Sequence, residues 1–138
     1  MNKFENEFAE ISFDKDIDAI ALHFKKQAPP NDFIGINQKV LEIFKTLNTN
    51  KFYVDTRKIG VVSIEGQKWV IENLFPGMIA HIKGKKLFHV QVVNPAEIFG
   101  KVAASNIKSK AVTQQPDKNL VIESFNTEQE AKDWLKAQ

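Results

Sequence analysis

The sequence predicts an α/β sandwich whose mixed sheet of about five strands opens with an antiparallel hairpin and carries helices packed on it. Two observations lead to this prediction. Apolar and polar residues alternate in two neighbouring stretches near the start of the chain, which is typical of paired strands. Further along, stretches with helical spacing alternate with short β-rich stretches, which indicates parallel strands joined by right-handed crossovers. The predicted order of elements is β-β-α-β-α-β-α-β-α.

The predicted strands are short, and turn-forming or polar residues flank most of them. Residues 8–13 and 20–24 form the hairpin, with Asp14, Lys15 and Asp16 between them. The later strands are rich in β-branched and aromatic residues, as buried strands usually are. They are predicted at residues 51–56, 86–93 and 120–125.

The first two predicted helices lie before and after the strand at residues 51–56. Residues 36–47 place Ile36, Val40 and Phe44 on one helical face, behind a Pro29-Pro30 pair that ends the preceding strand. The second helix begins at Ser63. We expect Pro76 to kink or divide it, because proline has no N–H group to bond to the preceding turn.

The last part of the chain predicts two further helices and a loop. Asn94 and Pro95 are typical of a helix start, which predicts a third helix over residues 96–105. Residues 107–119 are polar and contain a proline, so a mobile loop is predicted there. Thr127 and Glu130 have the spacing of a capping box and predict a final helix after the last strand.

Composition predicts a single cytoplasmic domain over residues 1–138. The chain is 43% hydrophobic and contains 11 Phe, enough for one core. No apolar run approaches the roughly 20 residues of a membrane-spanning helix. The amino terminus is acidic where a secretory signal would be basic and then apolar, and cysteine is absent. We therefore expect neither disulfides nor a thiolate metal site.

Charge is unevenly distributed, although the formal net charge is only +2. Acidic residues predominate in residues 1–20, whereas lysines predominate in residues 81–110. These lysines are Lys83, Lys85, Lys86, Lys101, Lys108 and Lys110. The zone lacks the arginines and interleaved aromatic residues that favour nucleic-acid binding, so it is interpreted mainly as a solvated face. No nucleic-acid partner is expected.

Polar residues are concentrated in VDTRKIGVVSIEGQKW, residues 54–69. Part of this stretch follows a predicted strand end, where α/β proteins usually bind ligands, and part begins a helix, whose free amides favour anions. The candidate ligand-binding residues are Asp55, Thr56, Arg57, Ser63, Glu65, Gly66 and Gln67. A structural alternative stays open: Ser63 is only a helix cap, Asp55 binds only loop amides, and Arg57 only pairs with Asp55.

Two stretches resemble a known family. VDTRKIGVVSIEGQKW and the later SFNTEQEAKDWL are similar to the STAS domain, the fold of anti-sigma-factor antagonists, and more closely to the STAS/SEC14-type group of small bacterial proteins. The resemblance covers residues 50–138, and the opening hairpin only by topology. The antagonists of this family carry a phosphorylated serine at the start of this helix. Ile64 stands at the matching position, so the kinase-driven switch is not carried over.

The leading hypothesis is a non-enzymatic STAS-like module that binds a partner protein or a small anionic ligand at residues 55–69. The alternative is lipid or apolar-ligand binding with reversible membrane-surface contact, by analogy with SEC14. It requires the second helix to open at Pro76. The exposed groove would comprise Trp69, Phe75, Met78, Ile79 and Ile82, although helical spacing favours a core role for them. Homodimer formation is left open.

No catalytic centre, cofactor or metal site is predicted. His23, His81 and His89 fall on separate elements, and a metal at His23 would need carboxylates brought in from distant parts of the chain. A hydrolase using Ser63, a histidine and Asp55 is less favoured, because VSIEG lacks the first glycine of a nucleophile elbow. The glycine-rich phosphate-binding motifs are also absent from the sequence.

Overall fold

A computed structural model describes residues 3–96, 105–110 and 119–138. Within these ranges six strands form one mixed sheet, ordered as they follow one another in sequence. The strands are β1 (Phe4–Glu5), β2 (Ala9–Asp14), β3 (Ala19–Phe24), β4 (Lys51–Asp55), β5 (Leu87–Val92) and β6 (Leu120–Phe125). The α/β class, the mixed sheet and the opening hairpin are therefore confirmed.

The sheet changes from antiparallel to parallel pairing at β3. β1, β2 and β3 pair antiparallel, whereas β3, β4, β5 and β6 pair parallel. The short β1 was not predicted, because two residues carry no periodic signal. It extends the predicted sheet of about five strands by one edge strand.

The helices are α1 (Pro30–Phe44), α2 (Ile64–Trp69), α3 (Phe75–Ile82), residues 105–110 (α4) and α5 (Glu128–Lys136). α1 begins six residues before the predicted start at residue 36, because Pro30 occupies its first position, where a missing N–H is tolerated. α5 begins after Thr127, as predicted. The Thr127 hydroxyl accepts a hydrogen bond from the Glu130 N–H at 3.2 Å.

Pro76 divides the second helical region by changing its hydrogen bonding. A π-helical turn, Val70–Leu74, joins α2 to α3, and the Phe75 N–H donates to the carbonyl of Val70. The wider turn accommodates Pro76, which has no N–H group to donate, in the first turn of α3. α3 ends at Ile82, and its C-cap Lys83 has a left-handed φ of 48° and is followed by Gly84.

The region after β5 differs in part from the prediction. Residues 107–110 are helical rather than part of a loop. Ile107 is buried in the core between the sheet and α1, α2 and α3. Packing of Ile107 in the core stabilises this short helix, and the mainly polar sequence around it did not predict that contact. Most of the predicted third helix, residues 97–104, and residues 111–118 of the predicted loop lie outside the described residues.

The sheet has a core on each face. The larger core lies between the sheet and α1, α2 and α3, because right-handed crossovers between neighbouring strands place their helices on one face. α5 covers part of the other face through Ala131 and Leu135. Neighbouring residues of β4 show the alternation, since Phe52 belongs to the first core and Tyr53 to the second. None of the helices within the described residues is long and apolar enough to span a membrane.

Candidate functional site

Asp55 and Arg57 form an ion pair with three hydrogen bonds at the end of β4. Asp55 Oδ1 accepts hydrogen bonds from the Arg57 backbone N–H at 3.0 Å and from its Nε at 2.9 Å. Asp55 Oδ2 accepts a third hydrogen bond from Arg57 Nη2 at 2.6 Å. Asp55 is only 8% exposed, so this local pairing satisfies a buried carboxylate. The mutual pairing considered in the structural alternative is therefore present.

Three further side chains join this pair, and sequence patterns did not predict them here. His23 Nδ1 lies 3.7 Å from Asp55 Oδ2, because β3 and β4 place His23 and Asp55 side by side on the same face. Glu128, the first residue of α5, has Oε2 3.4 Å from Arg57 Nη2. The Tyr53 hydroxyl donates to Glu128 Oε1 at 3.3 Å. We call His23, Tyr53, Asp55, Arg57 and Glu128 the Asp55 cluster.

Burial and neighbouring charges shift the pKa values of Asp55, Arg57 and Tyr53. Burial alone would raise the pKa of Asp55, but neighbouring His23 and Arg57 outweigh it and hold that pKa well below its ordinary value. The pKa of Arg57 is raised, chiefly by its hydrogen bond to Asp55. Burial and the carboxylates of Glu128 and Asp55 raise the pKa of Tyr53. Asp55 is therefore an anion and Tyr53 a neutral hydrogen-bond donor at physiological pH.

An open cavity of about 540 Å³ adjoins the cluster at the carboxyl ends of β3, β4 and β5. We call it the strand-end cleft. Its lining residues are His23, Phe24, Lys25, Asp55, Arg57, Lys58 and Asn94. Lys25 binds Glu5 and the Asn6 carbonyl, whereas Lys58 has no ion-pair partner among the described residues. The cleft therefore combines the bound cation Arg57 with the exposed cation Lys58.

The other predicted site residues lie outside the lining of this cleft. Thr56 is buried, and both its N–H and its hydroxyl donate to the Val92 carbonyl, at 2.9 and 2.7 Å. Ser63 caps α2 by accepting from the Gly66 N–H at 2.9 Å. The side chain of Gln67 donates to the Val62 carbonyl, and Glu65 is exposed. These five residues, including Gly66, hold β4 to β5 or belong to the start of α2, which packs on α1.

The residues of the hypothetical lipid groove are packed in or against the larger core in this conformation. Phe75, Met78 and Ile82 are buried, and Trp69 and Ile79 are half-buried against the same core. Two large apolar side chains nearby are exposed instead, Ile64 at 79% and Val61 at 47%. Ile64 also lines a separate cavity of about 300 Å³ along α2. The opening of the helix that lipid binding requires stays a prediction.

No family model, curated protein or solved structure matches this chain significantly. The resemblance to the STAS domain therefore stays a prediction based on the two stretches VDTRKIGVVSIEGQKW and SFNTEQEAKDWL. The features of the described residues that bear on function are the Asp55 cluster and the strand-end cleft.

Proposed function

We propose that this protein is a non-enzymatic, STAS-like binding module that takes a small anionic ligand in the strand-end cleft. The observation that carries the proposal is the position of Arg57 and Lys58 in an open cavity at the carboxyl ends of three parallel strands. This edge is where α/β sheets usually bind ligands, because the loops that follow the strands converge there.

Arg57 is suited to recognise an anion because Asp55 holds its guanidinium in place. A guanidinium carries five N–H donors in a rigid plane, and Asp55 engages Nε and Nη2. A fixed donor loses little conformational freedom when a ligand binds. Lys58, which is exposed, adds a mobile positive charge at the same cleft.

The cleft volume favours a small ligand. About 540 Å³ lies within the usual range of small-molecule sites, and Phe24 is the one apolar side chain among the described lining residues. This lining favours a compact phosphate- or carboxylate-bearing molecule over a long apolar one.

The described residues give no support to the hydrolase considered from the sequence. Ser63 caps α2, which packs on α1, whereas His23 and Asp55 lie on the sheet face that α5 covers. Ser63 therefore does not join His23 and Asp55 in the arrangement that nucleophilic catalysis requires. The proposal includes no reaction.

The experiment is a titration of the ¹⁵N-labelled protein with inorganic phosphate and with succinate, at constant ionic strength and with EDTA present. We expect amide shifts at residues 23–25, 55–58 and 94. Lys58→Ala should weaken binding by about tenfold, equivalent to roughly 1.4 kcal/mol. Lys15→Ala is the matched control, because this exposed lysine lies in the β2–β3 turn, at the other end of β3. Equal affinities for the two variants would contradict the proposal.

A second candidate is a protein partner that contacts Val61 and Ile64. The exposure of these two apolar side chains, three residues apart in sequence, favours it, since exposed apolar surface can mark a contact site. A second copy of this chain is the partner that can be tested directly. Sedimentation velocity should then show concentration-dependent dimers that Ile64→Ser abolishes and Glu65→Ser preserves. A monomer at all concentrations would exclude the homodimer.

Lipid binding stays the alternative that depends on opening at Pro76. With Phe75, Met78 and Ile82 buried, binding to anionic vesicles would have to expose core side chains, at a cost in stability. Cosedimentation with anionic vesicles that weakens at high salt would favour this alternative over the small-ligand proposal.

A further inference from the structure

The Asp55 cluster contains a set of side chains with the donor types of a divalent metal site. His23, Asp55 and Glu128 each offer one ligand atom, and these atoms lie within 4.8 Å of one another. They come from β3, β4 and the first residue of α5, elements that are distant in sequence. One imidazole and two carboxylates favour first-row cations such as Zn²⁺, Mn²⁺ or Co²⁺, and the nitrogen donor disfavours Mg²⁺ and Ca²⁺.

Hydrogen bonds already orient two of these ligands. The Arg57 backbone N–H donates to Asp55 Oδ1, and the Tyr53 hydroxyl donates to Glu128 Oε1. Each carboxylate is thereby held through one of its oxygens. The other oxygens, Asp55 Oδ2 and Glu128 Oε2, contact the Arg57 guanidinium and are the ones available to a metal. Such outer hydrogen bonds are typical of metal sites, where they fix the direction of the ligating oxygens.

The Arg57 side chain takes the place of a metal in this arrangement. Its Nη2 lies 2.6 Å from Asp55 Oδ2 and 3.4 Å from Glu128 Oε2, so one cationic nitrogen contacts both oxygens. The side chain is 39% exposed and follows the end of β4, next to the strand-end cleft. A metal that takes over the carboxylates can therefore displace the guanidinium into the cleft, while the Arg57 backbone N–H continues to hold Asp55 Oδ1.

We propose that His23, Asp55 and Glu128 bind a divalent first-row cation, and that the guanidinium of Arg57 competes with the metal for the two carboxylates. Metal binding needs the donor atoms, which lie within 4.8 Å of one another, to approach by up to about 1.5 Å, since bonds of roughly 2.0–2.2 Å place donors of one metal about 3.0–3.5 Å apart. The cleft leaves the remaining coordination positions open to water. This inference does not depend on the anionic-ligand proposal.

The experiment measures Zn²⁺ affinity by calorimetry, without phosphate or carboxylate buffers, in wild type and in Arg57→Gln. Because the guanidinium competes with the metal, Arg57→Gln should bind Zn²⁺ at least about tenfold more tightly. Adding His23→Gln to Arg57→Gln should abolish this gain. Adding Glu65→Gln instead is the control, since Glu65 is exposed and lies outside the cluster. Equal affinity of wild type and Arg57→Gln, or a gain that survives His23→Gln, would overturn the proposal.

A second measurement covers the case in which a variant does not fold. Mn²⁺ added to the ¹⁵N-labelled wild type should broaden the amide signals of residues 23, 55 and 128 before those of residues 16 and 18, exposed acidic residues of the β2–β3 turn at the opposite end of β3. Broadening that follows exposed acidic residues in general would overturn the site. Because the phosphate titration contains EDTA, failure of the metal site and failure of the anion site are distinguishable.

Discussion

His89 is a buried histidine whose surroundings keep it neutral. It is 2% exposed, and its ring stacks on Phe52 with centroids 4.5 Å apart. A proton on Nδ1 lets the ring donate to the Phe52 carbonyl at 3.0 Å, and Nε2 then accepts from the Gln91 amide at 3.3 Å. Burial lowers the pKa of His89 to about 4, against the opposing effect of the Phe52 carbonyl.

This residue predicts a loss of stability in mild acid. The folded pKa is below the unfolded value near 6.5, so the unfolded chain binds more protons and stability falls as pH decreases from about 6.5 to 4. His89 should contribute a loss of about 3 kcal/mol by pH 4. Urea unfolding at several pH values tests this. His89→Gln, which does not titrate, should show a much smaller loss, and an unchanged pH slope would contradict the assignment.

Variants of Ser63 distinguish a helix-capping role from a ligand-binding role for this side chain. Because its hydroxyl accepts from the Gly66 N–H, Ser63→Ala should lower the free energy of unfolding by about 1 kcal/mol. Ser63→Asn retains a capping oxygen without adding a charge and should remain near wild-type stability. Phosphate titration of both variants completes the test. A loss of anion binding in Ser63→Asn at unchanged stability would show that Ser63 contacts the ligand after all.

At the scale of elements, α1 and α2 pack so closely that a glycine is required between them. A Cβ at Gly66 would lie 2.7 Å from Phe33 Cδ2, and Phe33 is a buried ring of α1. Gly35, in the exposed middle of α1, has no neighbouring atom within 4 Å of such a Cβ. Gly66 was predicted from sequence to belong to the ligand site, but the group that lies against it is the Phe33 ring.

The two glycines predict opposite effects of the same substitution. Gly66→Ala should destabilise the protein by about 1–3 kcal/mol, because the Phe33 ring has to move within a packed core. Gly35→Ala should stabilise it by roughly 0.5–1 kcal/mol, since alanine loses less conformational freedom in a helix. Chemical denaturation of both variants measures the difference. A neutral Gly66→Ala would show that α2 can shift away from α1.

At the scale of the whole molecule, one sheet supports two cores of unequal size. Trp69 packs against the core under α1, α2 and α3, whereas Trp134 packs against the smaller core under α5. Alternate residues of β4 belong to the two cores. Loss of either helical layer therefore exposes to water one face of the strands that also carry the other core. The two layers should therefore unfold together as one domain.

Two single-tryptophan variants test this cooperativity. Trp134→Phe leaves Trp69 as the reporter of the larger core, and Trp69→Phe leaves Trp134 as the reporter of the smaller one. In each variant, the urea midpoint from tryptophan fluorescence should equal the midpoint from circular dichroism. An earlier fluorescence transition for Trp134 would show that α5 detaches separately, and the single-domain prediction would then be wrong.

Local signals explain why so much of the fold was predictable. β6 and α5 were predicted correctly because a β-rich run and a capping box are properties of adjacent residues. The strand end at Asp55 was predictable for the same reason, as were the cap at Ser63 and the division at Pro76. The start of α1 was misplaced, because the same Pro29-Pro30 pair can end a strand or begin a helix.

The sequence by itself determined the order of elements, the alternation of buried faces and the polar end of β4. Tertiary structure alone decided which side chains meet Asp55. His23 arrives through the register of β3 on β4, and Glu128 through the packing of α5 on the sheet. The physical reason is that spacing along a chain constrains neighbours within one helix or strand. Contacts between elements depend on register and docking, which no local pattern encodes.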